Sequence, residues 1–220
     1  MDGLLLLNKP VAWTSHDVVD AVRRRIGQRA VGHAGTLDPM ATGLLLVLLG
    51  KATKRFPEFS GLDKSYRGSF RLGLVTDSWD LEGKILEEKP VPGLSEHALR
   101  QAFGELVGER PLPMPAFSAA KRAGRKSYVL ARRGEAVDVA PRPMRIHRLE
   151  ITAFETPEVY FDLDCSKGTY VRSIAHTLGE RLGCGAALSS LVRTRIGPFR
   201  LEQAVEIENE DLPRFIRPAS

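Results

Sequence analysis

Three separated segments of this chain carry side chains that could together form one active site: a carboxylate, a phenol and a guanidinium. These side chains are Asp38, Tyr66 and Arg172. Asp38 stands directly before Pro39, whose ring disfavours the helical region for the residue that precedes it. Asp38 is therefore predicted to be extended and fixed in direction, as a carboxylate that takes part in a reaction has to be.

A local role explains the same pair of residues. Many helices begin with Asp as the N-cap and Pro at the first helical position. On the segment Gly35-Thr-Leu-Asp-Pro39 alone, a helix cap and a reacting carboxylate are both open.

Composition restricts the class of protein. The chain has 220 residues, of which 43% are hydrophobic and 27% charged, which is typical of a soluble globular protein. Its longest apolar runs, Leu4–Leu7 and Leu44–Leu49, are too short to cross a membrane, and no leader is evident, so a cytoplasmic protein is expected. Cys165 and Cys184 stand alone, which predicts buried thiols and no zinc site.

Positive charge is concentrated in one part of the chain. The net charge is +5, but residues 121–148 hold nine Lys or Arg against two acids, so the rest of the chain carries −2. Such a segment is typical of binding to a polyanion. Nucleic acid is the leading partner, and an anionic membrane surface is second because no amphipathic anchor helix accompanies the charge.

The hydrophobic pattern predicts the elements that hold the three reactive side chains. Residues 32–43 form a loop that carries Asp38, between a helix over 15–26 and a strand over 44–49. Residues 64–74 alternate as a strand, with Tyr66 on its apolar face. Residues 171–182 form a helix, and Tyr170 and Arg172 flank its apolar stripe at the first turn, which suits the rim of a site.

The remaining segments give further strands and helices. A capped helix is predicted after Ser95, and strands are predicted over Leu4–Leu7, 84–88, 141–151, 160–165 and 187–193. Pro111–Pro115 is predicted to lack regular structure, and 201–207 is predicted to form a short acidic helix.

Several ordered motifs resemble those of the bacterial tRNA pseudouridine-55 synthases. The resemblance runs in collinear order from about Leu5 to Phe199 and is much more specific than one pentapeptide. It departs from the family at Ala12, where a glycine is usual. The motifs are Asn8-Lys-Pro10, Gly32-His-Ala-Gly-Thr-Leu-Asp38-Pro-Met-Ala-Thr-Gly43, Lys64-Ser-Tyr66, Leu72-Gly-Leu-Val-Thr-Asp77, Asp80 to Gly83, Ser118-Ala-Ala-Lys121, Arg142-Pro143, Cys165-Ser-Lys-Gly-Thr-Tyr-Val-Arg172 and Leu191-Val-Arg193-Thr-Arg-Ile-Gly-Pro-Phe199.

The resemblance implies that one uridine in the T loop of tRNA, at position 55, is isomerised to pseudouridine. The glycosidic nitrogen bond is broken and the base is reattached through C5, without redox change or group donor, so no cofactor and no metal are expected. In agreement, the sequence has no Gly-rich phosphate loop and no dinucleotide fingerprint.

The resemblance also assigns roles to single residues. Asp38 would initiate bond breakage, Arg172 would pair with it, and Tyr66 would stack on the flipped uracil and offer its hydroxyl for proton transfer. Tyr170 would form a wall of the pocket, and Leu191 an apolar part of it. Without the resemblance, Tyr66 and Leu191 could equally be core residues, and Arg172 could decorate an exposed helix start.

Further residues are expected to contact the RNA. His33 would stack on displaced loop bases or fill their place, although a lone His is more often structural, and Lys64 is a further substrate-binding candidate. An A-form stem is recognised through its phosphates and shape. The candidates for T-stem phosphate contacts are Lys121, Arg122, Arg125, Lys126, Arg132 and Arg133.

The sequence thus predicts an α+β fold with a mixed, largely antiparallel sheet flanked by helices. It is expected to be a single catalytic domain over residues 1–220, with a basic RNA-binding insertion at about 111–148 and no C-terminal accessory domain, acting as a monomer without a protein partner. Three alternatives are a non-catalytic tRNA-remodelling protein, an RNA-guided pseudouridine synthase, which depends on an extra C-terminal domain, and an Asp-dependent hydrolase.

Overall fold

The computed structural model describes residues 1–91, 93–117, 121–122, 125–126 and 140–219. Its strands are β1 (Gly3–Lys9), β2 (Val31–His33), β3 (Thr42–Leu49), β4 (Lys64–Leu72), β5 (Leu74–Thr76), β6 (Ile85–Glu88), β7 (Gly108–Leu112), β8 (Lys121–Arg122), β9 (Arg125–Lys126), β10 (Arg142–Glu155), β11 (Glu158–Cys165), β12 (Ala186–Ile196), β13 (Phe199–Arg200) and β14 (Val205–Glu206). Its α-helices are α1 (Ser15–Ile26), α2 (Phe56–Ser60), α3 (Glu96–Gly104) and α4 (Val171–Leu182), and the 3₁₀ helices are Gly50–Arg55, Leu201–Gln203 and Leu212–Phe215.

The chain divides into two compact units. Unit 1 comprises Met1–Arg67 and Leu191–Ser220, and unit 2 comprises Gly68–Ser190. Strands β4 and β12 each contribute residues to both units.

Unit 1 is built on strands in the order β14-β1-β3-β12. Strands β1 and β2 are antiparallel to β3, whereas β12 is parallel to it. Alternate leucines of β1 and β3 enter two separate cores: Leu5 and Leu45 pack with Val18 and Val22 of α1, while Leu4 and Leu6 pack on the opposite face. Burial on both faces is why the apolar runs of β1 and β3 are continuous rather than alternating.

The first helix of unit 1 has defined ends. Thr14 accepts a hydrogen bond from the N–H of Asp17, whose side chain accepts from the backbone of Thr14 in return. Gly27 ends the helix in the left-handed conformation. The apolar positions between these caps face the sheet, as the 3.6-residue spacing predicts.

Unit 2 is built on strands in the order β4-β11-β10-β7. Strand β10 is antiparallel to both β11 and β7. Phe70 of β4 and Phe161 of β11 stack with their ring centroids 4.2 Å apart. The strand pairs β5-β6 and β8-β9 form two separate two-stranded antiparallel sheets.

The predicted fold class is confirmed, and so are the predicted helices over 15–26 and 171–182 and both buried thiols. Two local predictions were wrong at least in part. Pro113–Pro115 lack regular structure as predicted, but Pro111 lies within strand β7. The strand tolerates this proline because β7 is the last strand of its order and needs fewer N–H donors. Residues 201–207 form a 3₁₀ turn followed by strand β14 rather than one helix.

Among the described residues, none of the helices is both long and apolar enough to cross a lipid bilayer. The prediction of a single catalytic domain with an insertion at 111–148 stays a prediction.

Candidate active site

The loop between β2 and β3 carries Asp38, which is half-buried. The N–H of Ala41 donates to the carbonyl of Asp38 at 3.1 Å, and strand β3 begins at Thr42. Since a turn and then a strand follow Pro39, no helix begins here, and the capping interpretation of Asp38 is wrong.

Side chains from β1 and α1 hold the residues on both sides of Asp38. The hydroxyl of Ser15 accepts from the N–H of Leu37 at 2.8 Å and donates to the carbonyl of Leu37 at 3.1 Å. The buried ammonium of Lys9 donates to the carbonyl of Pro39 at 3.2 Å, and also to Pro10 and Trp13. The backbone before and after Asp38 is thereby fixed.

A buried arginine from β12 holds the start of the same loop. Arg193, only 1% exposed, donates to the carbonyls of Gly35 at 3.1 Å, Thr36 at 3.3 Å and Leu44 at 2.8 Å. Sequence reasoning included Arg193 in a motif but gave it no role.

Tyr66 and Lys64 lie on β4 within unit 1. Tyr66 is 9% exposed, which confirms its predicted position on the buried face of the strand. Lys64 is 6% exposed, and its ammonium donates to the carbonyls of Ser60 and Leu62. These contacts favour support of the chain before Tyr66 over direct substrate contact, and the substrate-binding role of Lys64 stays a prediction.

His33 and Leu191 also belong to unit 1. Leu191 is buried at the start of the unit 1 part of β12, and His33 is half-buried at the end of β2. Burial lowers the pKa of His33, and the Arg193 cation lowers it further, whereas a hydrogen bond with the Gly35 backbone opposes both. The imidazole is therefore predominantly neutral at neutral pH.

Arg172 lies in unit 2, in the first turn of α4. Its guanidinium donates to the carbonyls of Ser78 at 3.0 Å and Phe117 at 2.8 Å, and its Nε lies 3.6 Å from a carboxylate oxygen of Asp80. The other oxygen of Asp80 accepts from the Ser78 hydroxyl and from the N–H of Glu82. The Arg172 side chain is therefore held in one orientation by a buried ion pair and two carbonyls.

Arg172 is only 4% exposed, so the alternative that it decorates an exposed helix start is wrong. Its predicted place at the rim of a site stays a prediction. A cation at a helix N-terminus opposes the macrodipole, and Asp80 supplies the compensating charge. Tyr170, the residue before α4, is half-buried and has an extended backbone. Its role as a pocket wall stays a prediction.

The predicted phosphate contacts can be placed only in part. The β8-β9 strand pair is formed by the backbones of four of these cations, with Lys121 paired to Lys126 and Arg122 to Arg125. Arg132 and Arg133 lie outside the described residues.

The cations of β10 differ from one another in their contacts. Arg148 donates to Asp164 at 2.8 Å and to Glu150 at 2.8 Å. The side chains of Arg142 and Arg145 are exposed and form no ion pair with any residue that the structure describes. Arg142 and Arg145 are therefore better placed than Arg148 to bind an external anion.

Sequence reasoning assigned no role to three buried charged residues: Lys9, Asp80 and Arg193. Each lies in a motif that the family resemblance includes, but a charged side chain in a motif is equally compatible with a surface position and with a site. Their burial was the missing signal, because a buried charge has to be paired or hydrogen-bonded.

Comparisons with known proteins agree with the motifs. Residues 23–171 match the TruB family pseudouridylate synthase (N terminal domain), and residues 172–215 match the tRNA pseudouridylate synthase B C-terminal domain. A tRNA pseudouridine synthase B of Opitutus terrae is 47% identical over 94% of this chain and 86% of that protein. One of Geotalea uraniireducens is 45% identical over 95% of this chain and 67% of that protein.

Solved structures share the fold. A crystal structure of a Cbf5-Nop10-Gar1 complex contains a chain that is 30% identical, with a TM-score of 0.72 over 93% of this chain and 52% of that one. A structure of an H/ACA RNP bound to a substrate RNA containing 2'-deoxyuridine gives 28% identity and a TM-score of 0.69, and this chain covers 51% of that one. This chain thus spans about half the length of those two.

The extent of the family match and the identity to these relatives confirm the resemblance seen in the motifs. The chain belongs to the TruB family of pseudouridylate synthases.

Proposed function

We propose that this protein isomerises uridine to pseudouridine in the T loop of tRNA, at position 55. The observation that carries the proposal is the 47% identity, over nearly the whole chain, to a protein named tRNA pseudouridine synthase B. The fixed backbone around Asp38 supports an acid-dependent site in this chain.

In the proposed reaction the uridine is flipped out of the loop, since a stacked base cannot be approached from beneath. Asp38 initiates cleavage of the bond between N1 and C1′, either as nucleophile or as base. The base turns, C5 bonds to C1′, the proton on C5 is lost, and N1 gains a proton. Atoms and electrons balance within the nucleotide, so no co-reactant enters the reaction.

The other residues are proposed to support these steps. Tyr66 stacks on the uracil, Tyr170 and Leu191 form the pocket wall, and His33 lies against displaced loop bases. Arg172 is proposed to pair with the Asp38 carboxylate, which favours its ionised form. The basic segment, with Lys121, Arg122, Arg125, Lys126, Arg132 and Arg133, binds the phosphates of the T stem.

Tritium release from uracil C5 tests the proposal. A T-arm minihelix labelled at C5 is incubated with the wild type and with Asp38→Asn, without added metal or nucleotide. We expect release by the wild type and none by the variant. RNA binding by the wild type without release would contradict the enzymatic function and favour a tRNA-remodelling protein.

An RNA-guided activity is a second candidate, because the solved structures of similar fold include an H/ACA RNP. The higher identity to the tRNA enzymes favours a stand-alone activity. We also propose that the protein acts as a monomer without a protein partner. Activity of the purified chain alone, eluting at monomer size and without guide RNA, is the expected result. A requirement for guide RNA or a partner would overturn it.

A further inference from the structure

We propose that Arg193 is a positioning residue for the reaction: it sets the backbone that presents Asp38 and acts through that loop. The inference rests on the proposed function, because it assigns to Asp38 the initiating role. It concerns a residue of β12, which lies far from Asp38 in the sequence.

The contacts of Arg193 are directed at one loop. Its Nη2 donates to the carbonyl of Gly35 and its Nη1 to the carbonyl of Thr36, three and two residues before Asp38. Its Nε donates to the carbonyl of Leu44 on β3, at the far end of the loop. One planar guanidinium thus joins both ends of the segment that contains Asp38.

Because Arg193 is buried, its N–H groups have to find hydrogen-bond acceptors within the protein. Arg193 is among the largest fully buried side chains described, and a buried cation is tolerated only where its N–H groups are satisfied. The fork of a guanidinium presents several donors in fixed directions, whereas an ammonium is a point donor on a flexible stem. The loop conformation that satisfies Arg193 is therefore strongly favoured over others.

Strand pairing places Arg193 at this position. Strand β12 runs parallel to β3 with Arg193 opposite Gly43. A Cβ on Gly43 would lie 2.5 Å from the carbonyl oxygen of Arg193, and Gly43 has a φ of +98°. Only glycine allows the two backbones to approach this closely. Gly43, the last residue of the motif that contains Asp38, therefore serves the placement of Arg193.

An electrostatic interaction between Arg193 and His33 is consistent with this role. The Arg193 charge lowers the pKa of His33, two residues before Gly35, so the cation acts electrostatically as well as by hydrogen bonds on the chain that leads to Asp38. Ser15 and Lys9 hold Leu37 and Pro39, and Arg193 holds Gly35 and Thr36, the two residues before Leu37.

The test compares Arg193→Lys with Arg195→Lys. Arg195 lies on the same strand, is half-buried and binds the Ser65 hydroxyl and the Gly197 carbonyl, so it controls for loss of a guanidinium from β12. Single-turnover tritium release at saturating enzyme gives the chemical rate, and filter binding gives the RNA Kd. We expect Arg193→Lys to lower the rate about 10- to 100-fold at unchanged Kd, since small misplacement of a reacting group has such effects.

Hydrogen exchange and a second variant, Gly43→Ala, test the same role of Arg193. Hydrogen exchange of the peptide that contains residues 34–42 should accelerate in Arg193→Lys and not in Arg195→Lys. If Arg193→Lys does not fold, Gly43→Ala should give the same separation of rate from Kd. A folded Arg193→Lys with wild-type rate would overturn the inference, and so would parallel losses of rate, RNA binding and thermal midpoint.

The exchange measurement separates this inference from the proposed function. If the wild type releases no tritium, the proposed function fails, whereas accelerated exchange in Arg193→Lys would still show that Arg193 holds the loop. Unchanged exchange together with an active wild type would overturn the inference alone.

Discussion

Ala12 and Pro39 are joined by a backbone hydrogen bond of 2.9 Å, in which the N–H of Ala12 donates, although Ala12 has a φ of +66°. This φ lies in the left-handed region, where a Cβ is disfavoured. The turn that follows Lys9 therefore touches the residue after Asp38 and does so at a cost in backbone strain. The departure from the glycine usual in the family does not prevent the turn.

Ala12→Gly should stabilise the protein. Removing the Cβ relieves about 1–2 kcal/mol of left-handed strain. Glycine also raises the conformational entropy of the unfolded chain, which offsets part of this stabilisation. We expect the free energy of unfolding to rise by about 0.5–1 kcal/mol in total. For a chain of this size, each kcal/mol raises Tm by roughly 2–4 °C. Ala30→Gly, at an exposed position without positive φ, should lower Tm instead. A lower Tm for Ala12→Gly would contradict the strain argument.

Asp80→Asn should damage both stability and activity. It leaves the buried Arg172 cation without its compensating charge, and breaking one partner of a buried pair typically costs about 3–5 kcal/mol. Urea unfolding measures the loss, and single-turnover tritium release should fall because the guanidinium is no longer held in one orientation. Raising the salt concentration should not abolish the difference, since a buried pair is poorly screened.

The pair of the exposed Arg148 and the half-buried Asp164 is the matched control. Asp164→Asn removes a 2.8 Å ion pair at the surface and should cost no more than about 1 kcal/mol. Equal losses from Asp80→Asn and Asp164→Asn would contradict the assigned importance of the buried pair.

His33 should titrate below its ordinary pKa of 6.5, because burial and the Arg193 charge favour its neutral form. In Arg193→Gln the pKa of His33 should rise, which an NMR titration of the imidazole protons can follow. An unchanged pKa would contradict the electrostatic contact.

The same shift predicts how stability depends on pH. The folded-state pKa of His33 is lowered, so its contribution is complete above pH 6.5 and is lost as the pH falls below 6.5 towards the folded-state pKa. Burial also lowers the pKa of His176, which stacks on Trp79 at 4.2 Å. His33→Gln and His176→Gln should each flatten part of the loss measured by urea unfolding between neutral and acidic pH.

Salt dependence of tRNA binding should distinguish the arginines of β10. Arg145→Gln is expected to reduce the slope of log K against log salt by about 0.7–0.9 for each phosphate that the variant no longer neutralises. Arg148→Gln should change the slope less, because Asp164 and Glu150 already engage its guanidinium. Equal changes in slope would mean that the surface ion pairs of Arg148 open on binding.

Several elements were predictable because local chemistry specified them. Helix α1 has a capping box at Thr14 and a glycine at its end, and helix α4 has an apolar stripe that ends at Gly183. The leucine runs of β1 and β3 are short, continuous and apolar, which favours buried strands. Short elements were missed or misassigned, among them β2, β5 and β14, because two or three residues carry no periodicity.

Strand β7 shows why some strands could not be predicted from the sequence. Pro111 argues against a strand in the interior of a sheet, but β7 is at the end of its strand order, where Pro111 faces Pro143 of β10 and neither residue has an N–H to leave unpaired. The position of a strand within its sheet depends on partners distant in sequence.

The sequence by itself determined the family, the fold class and the acid, phenol and guanidinium proposed for the reaction, because ordered motifs and periodicity are local properties of the chain. Only the tertiary structure decided that Arg172 is buried beside Asp80, and that Arg193 holds the loop of Asp38. Burial of a charge and the carbonyls that satisfy it come from segments far apart in the chain. Such contacts exist only once the strands have paired.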